Sequence, residues 1–239
     1  MTPKVLIAIP SGRSAPDVDH SISFMDTVVD LREHGMPPDR RIIHGNCYVH
    51  LCRNLLAYQF MKTDCTHLFF WDDDVAAPPG ALRRLLSYDR DIIVAPYPKK
   101  VARGLPPAKT WPYSLTDGIP DPHGLLECDM VATGFMLIRR DVIATMYRIH
   151  AERIFYHEPF GDDVVDLFPT GLIPGFPKNA NGKAMWWGED YAFSVLAQRA
   201  GFKMWLDPVV QLIHAGRNVW AGDFTKTSDK PAEAVSSAA

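Results

Sequence analysis

Three consecutive aspartates, Asp72, Asp73 and Asp74, are the residues of this sequence that point most directly to chemistry. They follow the apolar run 68–71, and adjacent carboxylates at the end of a buried strand repel each other unless a cation or hydrogen-bond donors compensate. Side chains alternate along a strand, so Asp72 and Asp74 should share one side while Asp73 points elsewhere. Such oxygen ligands suit Mg²⁺ or Mn²⁺. The run therefore predicts a divalent metal site, with a solvated acidic turn as the alternative.

A second acidic pair, Glu189 and Asp190, opens the clearest helix of the chain. Apolar residues recur at helical spacing over 189–200, and Gly201 follows as a C-terminal cap. Carboxylates are stabilised at a helix N-terminus, so two ordinary N-terminal acids are the alternative to a catalytic pair. His214 comes later, at the end of a predicted strand, where it is either a metal ligand or a histidine with structural hydrogen bonds.

Strands alternate with helices along most of the chain, which predicts an α/β fold with a mostly parallel central sheet and helices on both faces. In such folds ligands bind at the carboxyl ends of the strands, where both loop 11–13 and the aspartates lie. Segments 96–127 and 153–185 are expected to be irregular. The strands are predicted over 4–10, 41–43, 67–71, 91–95, 128–138, 202–206 and 209–214, and the helices over 22–33 (with Ser21 as N-cap), 50–62, 80–88, 141–147 and 189–200.

Composition excludes several classes of protein. The 239 residues are 47% hydrophobic and 22% charged, with a net charge of −3, which is ordinary for a globular protein and creates no general field for nucleic acid or membranes. No apolar run approaches the roughly 18 residues of a membrane span, no signal peptide is evident, and a cytoplasmic location is expected, in a bacterial or phage-infected cell. No P-loop is present. The four cysteines lack CxxC spacing and are expected to be buried free thiols.

Taken in order, these motifs resemble the GT-A fold glycosyltransferases, which use nucleotide-sugar donors. The apolar strand and aspartates of 68–74 look like the DxD motif of that class, and Pro78, Pro79 and Leu82 follow as in its family-2 members. Segment 52–55, with Arg53 followed by Asn54, resembles the Arg-Asn segment that the family carries on the helix before this strand. Segment 186–190 resembles the family's W-G-G-E-D and xED motifs. His214 matches a late metal-binding histidine, so the likeness extends from residue 4 to residue 214.

The resemblance implies roles for individual residues. Asp72 would face the donor ribose or the metal, Asp74 and His214 would ligate Mn²⁺ or Mg²⁺, and Asp190 would be the general base of an inverting reaction. Glu189 would position the acceptor or the donor sugar. The nucleotide-diphosphate sugar, with a UDP-sugar favoured, would be bound by a further set: Pro10, Ser11, Arg13, Arg53, Asn54, Asp72 and Asp73. Arg13 is otherwise a solvated surface arginine, and His44-Gly45-Asn46 replaces the acid that often recognises the base.

The resemblance also implies one catalytic domain over 1–226, with a nucleotide-binding half, 1–100, and an acceptor half, 101–226; the polar tail 227–239 is expected to be flexible. The acceptor hydroxyl is predicted to belong to 5-hydroxymethylpyrimidine in DNA, as in related phage enzymes, or to a glycan, a lipid-linked or a small-molecule acceptor. The basic segment 99–109 would suit a DNA backbone, whereas the overall negative charge argues against strong DNA affinity. Trp111, Trp186, Trp187 and Trp220 either stack on sugar or base rings or pack in the interior.

Two other classes of protein compete with this interpretation. Acids combined with a histidine also form the sites of metal-dependent phosphoryl-transfer and hydrolytic enzymes. A non-catalytic nucleotide-sugar-binding module is the other alternative, but such a module has no use for Glu189 and Asp190. The oligomeric state is not predicted.

Overall fold

The computed structural model describes residues 2–12, 15–100, 111–216 and 220–221. The predicted tail 227–239 lies outside these residues. The five helices of the described ranges are α1 (Val18–Glu33), α2 (Val49–Met61), α3 (Ala81–Ser87), α4 (Arg140–Ile149) and α5 (Glu189–Arg199). The strands are β1 (Val5–Ser11), β2 (Asp39–His44), β3 (His67–Trp71), β4 (Val75–Ala76), β5 (Ile92–Val94), β6 (Ser114–Pro120), β7 (Leu126–Met130), β8 (Phe135–Arg139), β9 (Ile154–His157), β10 (Asp162–Val165), β11 (Gly171–Leu172), β12 (Trp186–Trp187), β13 (Met204–Leu206), β14 (Ile213–His214) and β15 (Trp220–Ala221).

The central sheet has eight strands in the order β2-β1-β3-β8-β5-β13-β7-β6. Strand β1 is parallel to both β2 and β3, and β5 is parallel to β13. Strand β8 runs antiparallel to β3 and β5, and β7 runs antiparallel to β13 and β6. Six strands therefore point one way and two point the other, which confirms a mostly parallel sheet.

The sheet separates two hydrophobic clusters. On strand β3, Leu68 and Phe70 belong to the cluster on one face, with the buried residues of α2, α4 and α5. Phe69 and Trp71 belong to the cluster on the other face, with the buried residues of α1 and α3. Alternating side chains are apolar on both faces because helices cover both. The predicted α/β fold class is confirmed.

A second, three-stranded sheet, in the order β15-β14-β4, joins the last two strands of the described ranges to the segment that follows the aspartates. Strand β4 begins directly after Asp74, and its Val75 pairs with His214 of β14. The backbone N–H of Ala215 also donates a hydrogen bond to the Asp74 carbonyl, at 2.7 Å. This small sheet places His214 beside the acidic run.

Several sequence predictions need correction. Helix α1 begins at Val18, and its N-cap is Asp17, whose carboxylate accepts a hydrogen bond from the Asp19 N–H; Ser21 lies inside the helix. The segment 96–127 contains β6, and 153–185 contains the hairpin of β9 and β10 as well as β11. Only β14 forms within 209–214. Short or exposed strands were missed because half-buried alternation is what marks a strand in a sequence.

The cysteine prediction holds for three of the four thiols. Cys52, Cys65 and Cys128 are buried and free, whereas Cys47 is free and exposed. None of the helices in the described ranges is long and apolar enough to cross a membrane.

Candidate active site

The three aspartates form a tight turn between β3 and β4. The N–H of Asp72 donates to the Gly134 carbonyl at 2.9 Å, and the N–H of Val75 donates to the Asp72 carbonyl at 3.1 Å. The indole N–H of Trp71 closes the turn by donating to the Val75 carbonyl at 2.7 Å. Backbone hydrogen bonds and the Trp71 indole therefore fix the turn independently of the aspartate side chains.

Gly134 lies directly against this turn. A Cβ at position 134 would stand 2.5 Å from the Tyr97 hydroxyl and 2.7 Å from Asp72 Oδ2, both far inside contact distance. The Gly134 N–H in turn donates to the Tyr97 hydroxyl at 3.0 Å. The absence of a side chain at Gly134 permits this close approach of the backbone, and any side chain there would displace Asp72 or Tyr97.

Asp72 is joined to the second acidic motif by a buried arginine. Arg53, whose side chain is 2% exposed, donates from Nη2 to Asp72 Oδ1 at 2.8 Å, and its Nε lies 3.6 Å from Glu189 Oε1. Burial raises the pKa of the Asp72 carboxyl, and the charge of Arg53 opposes that rise. One guanidinium therefore holds together two acids that are far apart in the sequence.

Asp73 points to a different set of partners from its neighbours. Its carboxylate accepts a hydrogen bond from the Ser11 hydroxyl at 2.5 Å, and its carbonyl accepts from the Asp17 N–H at 2.8 Å. Asp73 thereby fixes the loop after β1 and the start of α1 against the acidic turn. The predicted divergence of Asp73 from Asp72 and Asp74 agrees with these contacts.

Asp74 is surrounded by positive or proton-donating groups. Lys100 Nζ lies 2.5 Å from Asp74 Oδ2, and His214 Nε2 lies 3.4 Å from Oδ1. Burial acts to raise the pKa of the Asp74 carboxyl, but the hydrogen bonds and charges of His214 and Lys100 outweigh it and lower the pKa. Asp74 is therefore held as a carboxylate at neutral pH.

Asp74 and His214 supply one oxygen and one nitrogen ligand that could share a divalent cation. His214 Nδ1 donates to the Pro98 carbonyl at 2.8 Å, which is how metal-binding histidines are usually oriented, and this leaves Nε2 turned towards Asp74. Mg²⁺ is often held by one or two protein ligands together with substrate phosphates. However, no group of three His, Cys, Asp or Glu side chains within the described ranges is arranged to hold a metal. The predicted third ligand, Asp72, is engaged by Arg53 instead.

Asp190 differs from Asp74 in its electrostatic environment, which raises the pKa of its carboxyl group. Its carboxylate accepts one backbone hydrogen bond, from the Tyr191 N–H at 2.8 Å. Burial and the neighbouring charge of Glu189 raise the pKa of Asp190 to about 6, while Arg53 acts against that rise. A carboxylate with such a pKa is suited to accept a proton near neutral pH.

A cavity of about 210 Å³ opens beside Ser11 and Asp73, at the carboxyl ends of β1 and β2. Its walls are mostly apolar, with Ile9, Phe24 and Ile42 among them. Of the predicted donor contacts in this region, Ser11 lines the cavity and Pro10 is buried in β1. Arg13 lies outside the described residues.

Asn54, also predicted to contact the donor, has a full set of structural contacts. Its amide nitrogen donates to Asp166 at 2.7 Å, and its amide oxygen accepts from the N–H groups of Leu167 and Phe168 at 2.9 and 3.0 Å. This amide attaches α2 to segment 166–168. The neighbouring Arg53 reaches into the site from the same helix.

Sequence reasoning missed Tyr97 and understated Lys100. Tyr97 is buried against the His214 ring, with centroids 5.0 Å apart, and burial raises the pKa of its hydroxyl well above the usual value. Lys100 belongs to the basic segment 99–109, which was expected to suit a DNA backbone and of which residues 101–109 lie outside the described ranges. The charge of that segment was the available signal, but only the fold shows that Lys100 contacts Asp74.

The tryptophans divide into two groups. Trp111 and Trp187 are 5% and 6% exposed and pack in the interior. Trp186 is 76% exposed and lies in β12, three residues before Glu189. An exposed indole offers a flat face to a ring of a substrate. The side chain of Trp220 is not among those that the structure describes.

No family model matches the chain, and no match was found among the curated proteins. The crystal structure of A197 from STIV is similar with a TM-score of 0.50 and 16% sequence identity, covering 92% of this chain and 94% of that chain. GalNAc-T7 with UDP, GalNAc and Mn²⁺ gives a TM-score of 0.44 at 13% identity, over 90% of this chain and 44% of that one. A glycosyltransferase involved in the glycosylation of the major capsid of PBCV-1 gives 0.35 at 11%, over 66% and 72%. The first similarity shows a shared fold alone, and the two lower scores carry no argument.

Proposed function

We propose that this chain is a GT-A type glycosyltransferase that transfers a sugar from a nucleoside-diphosphate donor to an acceptor hydroxyl with inversion. The observation that carries the proposal is the bridge formed by Arg53. Its guanidinium lies between Asp72 and Glu189 and so brings the acidic turn and the N-terminus of α5 into one site. A site with both motifs has a place for the leaving diphosphate and a place for proton transfer.

The donor is proposed to bind along the ends of β1 and β3. The apolar cavity beside Ser11 and Asp73 would receive the nucleoside, with UDP-sugars as the favoured donors. Asp74 and His214 would hold Mn²⁺ or Mg²⁺, which in such a site neutralises the charge of the departing diphosphate. Asp74 is supported in this role by its lowered pKa, because a metal ligand must be deprotonated.

Asp190 is proposed as the general base. Its pKa of about 6 leaves it ionised at neutral pH and still basic enough to take the proton from an acceptor hydroxyl. Glu189 is proposed to position the donor sugar or the acceptor, since its carboxylate is held towards Arg53 rather than left unpaired. The two acids therefore divide positioning and proton transfer between them.

The acceptor is proposed to carry a ring that stacks on Trp186. This indole is 76% exposed and lies three residues before Glu189. A 5-hydroxymethylpyrimidine in DNA and a sugar of a glycan both have a suitable flat face and a hydroxyl, and the two classes are compared directly in the experiment below.

The proposal is tested by incubating the protein with Mn²⁺ and a panel of nucleotide sugars and measuring nucleoside diphosphate release. Duplex DNA containing 5-hydroxymethylcytosine and an oligosaccharide serve as alternative acceptors, and NMR gives the anomeric configuration of the product. Nucleoside diphosphate release that depends on an acceptor and gives an inverted product supports the proposal. Release of sugar phosphate or nucleoside monophosphate would instead identify a phosphoryl-transfer or hydrolytic enzyme. Asp190→Asn is the inactive control.

A further inference from the structure

Helix α1 presents an apolar stripe to solvent. The stripe consists of four residues with exposed fractions of 71, 55, 67 and 53%, respectively: Val18, Ile22, Met25 and Val29. They lie within one narrow sector of the helix, because spacings of four, three and four residues return to the same side of an α-helix. Exposed apolar groups are common singly, but a continuous row along a helix marks a contact surface.

The opposite side of α1 is largely polar and faces the protein. His20 is buried, and its Nδ1 hydrogen-bonds to the Val75 carbonyl at 3.2 Å. Ser23 is buried as well, and its hydroxyl accepts from the Ala77 N–H at 3.2 Å. The helix is thus attached to the strand after the acidic turn by hydrogen bonds, and the apolar stripe has no part in that attachment.

The two edges of the stripe carry opposite charge. Along one edge lie the exposed acids Asp19, Asp26 and Glu33, each seven residues from the next. Beyond the other edge, next to β2, three arginines and one acid line a common cleft, so this edge carries a net positive charge: Arg32, Arg40, Arg41 and Asp39. The row of apolar residues with charged borders has the spacing of a coiled-coil seam.

We propose that the stripe of α1 is the contact surface of a symmetric dimer with a second copy of this chain. The charges select the arrangement. When the two-fold axis runs parallel to the helices, the acidic edge of each copy faces the basic edge of the other. When the axis is perpendicular to the helices, acidic edges face each other. The parallel arrangement is the complementary one, and the acidic edge opposes binding to an anionic membrane.

The contact is small. A helix of 16 residues with four apolar positions gives an interface at the low end of the range for specific complexes, so the dimer should form at micromolar concentrations and above. Met25 also lines the cavity proposed for the nucleoside, whereas Val18, Ile22 and Val29 do not, so the association is tested at Ile22, away from the proposed donor contacts.

Sedimentation velocity over a concentration series from about 5 to about 500 μM tests the proposal. The unaltered protein is expected to shift from monomer to dimer. Ile22→Lys should raise the dimer dissociation constant about tenfold or more, because each dimer loses two apolar contacts. The matched control is Ile154→Lys on β9, where the isoleucine is 50% exposed, and it should leave the association unchanged. Circular dichroism checks that both variants are folded.

A charge exchange tests the parallel arrangement. Asp26→Arg and Arg40→Glu should each weaken association, because each sets like charges across the contact, and the double variant should restore it. Monomer throughout the concentration series, or equal association of Ile22→Lys and the unaltered protein, would overturn the proposal. Failure of the double variant to recover affinity would overturn the parallel arrangement.

Discussion

The acidic turn and the N-terminus of α5 place carboxylates in opposite electrostatic environments. In the turn, Asp74 has a lowered pKa, because Lys100 and His214 compensate its charge. At the start of α5, Asp190 has its pKa raised to about 6 by burial and by the charge of Glu189. The difference suits the two proposed tasks of the site: Lys100 and His214 stabilise Asp74 as an anion, whereas the charge of Arg53 only partly offsets the burial of Asp190, which keeps affinity for a proton.

Removal of the Asp190 carboxylate, the proposed general base, should have the largest effect, and it should act on turnover. Asp190→Asn preserves the size of the side chain and the acceptor for the Tyr191 N–H, but it removes the base. Turnover should fall by about 10²- to 10⁴-fold with donor affinity near normal. The measurement is the transfer rate at saturating donor and acceptor, beside calorimetric donor binding. Turnover close to that of the unaltered enzyme would place the base elsewhere or indicate a retaining mechanism.

Removal of the Asp74 carboxylate, whose pKa is lowered, should affect metal-dependent binding rather than turnover. Asp74→Ala is expected to weaken Mn²⁺-dependent nucleoside diphosphate binding by about 10- to 100-fold or more, because it removes a carboxylate ligand. Titration calorimetry with and without Mn²⁺ measures this change. Asp162→Ala, which removes an acid paired with Lys62 on the surface, is the control and should bind normally. Equal metal-dependent affinity in folded Asp74→Ala would contradict the metal assignment.

The contrast in pKa predicts the pH profile of the enzyme. Under the proposed role of Asp190 as general base, only its ionised form is active, so kcat/KM should decline about tenfold per pH unit below pH 6. Asp74 stays ionised over this range and should add no step. Rates measured from pH 4.5 to pH 8 give the profile. A flat profile across pH 6 would show that Asp190 is not the titrating group.

The raised pKa of Asp190 also has a cost in stability. The folded state favours the protonated form of Asp190. Protonation therefore stabilises the fold in full below about pH 4, and this stabilisation is lost as the pH rises through about 6. Asp190→Asn should therefore increase the free energy of unfolding by about 1–3 kcal/mol at pH 7.5, and this gain should vanish near pH 4. Thermal unfolding at the two pH values measures it. Asp141→Asn should show no such gain, since Arg139 lowers the pKa of that aspartate.

The smallest effect is expected at Lys100, whose ammonium occupies the position beside Asp74 that a metal would share. Lys100→Met should strengthen Mn²⁺ binding in the absence of nucleotide by about two- to fivefold, because a competing cation is removed. The same change should weaken nucleoside diphosphate binding at saturating Mn²⁺, because a cation near the phosphates is lost. Lys203→Met, which breaks a surface pair with Glu127, is the matched control. A change of the same sign in both affinities would exclude this role.

The elements that the sequence predicted best are those whose signal is local. Strand β3 has the predicted bounds because its apolar residues end abruptly at Asp72, and α5 begins at the predicted Glu189. Strand β6 escaped prediction because it is a mostly exposed edge strand in a proline-rich segment. Without apolar alternation, only its pairing with β7 makes it a strand.

The candidate site was predictable in its residue types but not in its pairings. The motifs identified Asp72, Asp74, Asp190 and His214, yet nothing local indicates that Arg53 joins Asp72 to Glu189. Such contacts arise from the packing of α2 between distant segments, which spacing along the chain does not encode. Asn54 shows the same limit, because a donor-binding asparagine and one that bonds to segment 166–168 look alike in a sequence.

The hydrogen bonds of Asn54 have a consequence for how this protein can evolve. Arg53 and Asn54 are consecutive on α2, so the hydrogen bonds between Asn54 and segment 166–168 also anchor the turn of the helix from which Arg53 reaches the site. Substitutions in that segment would move the guanidinium without touching a substrate. In a mutational selection for altered activity, adaptive changes are therefore expected to accumulate around 166–168, where they adjust the distance between the two acidic motifs while leaving both intact.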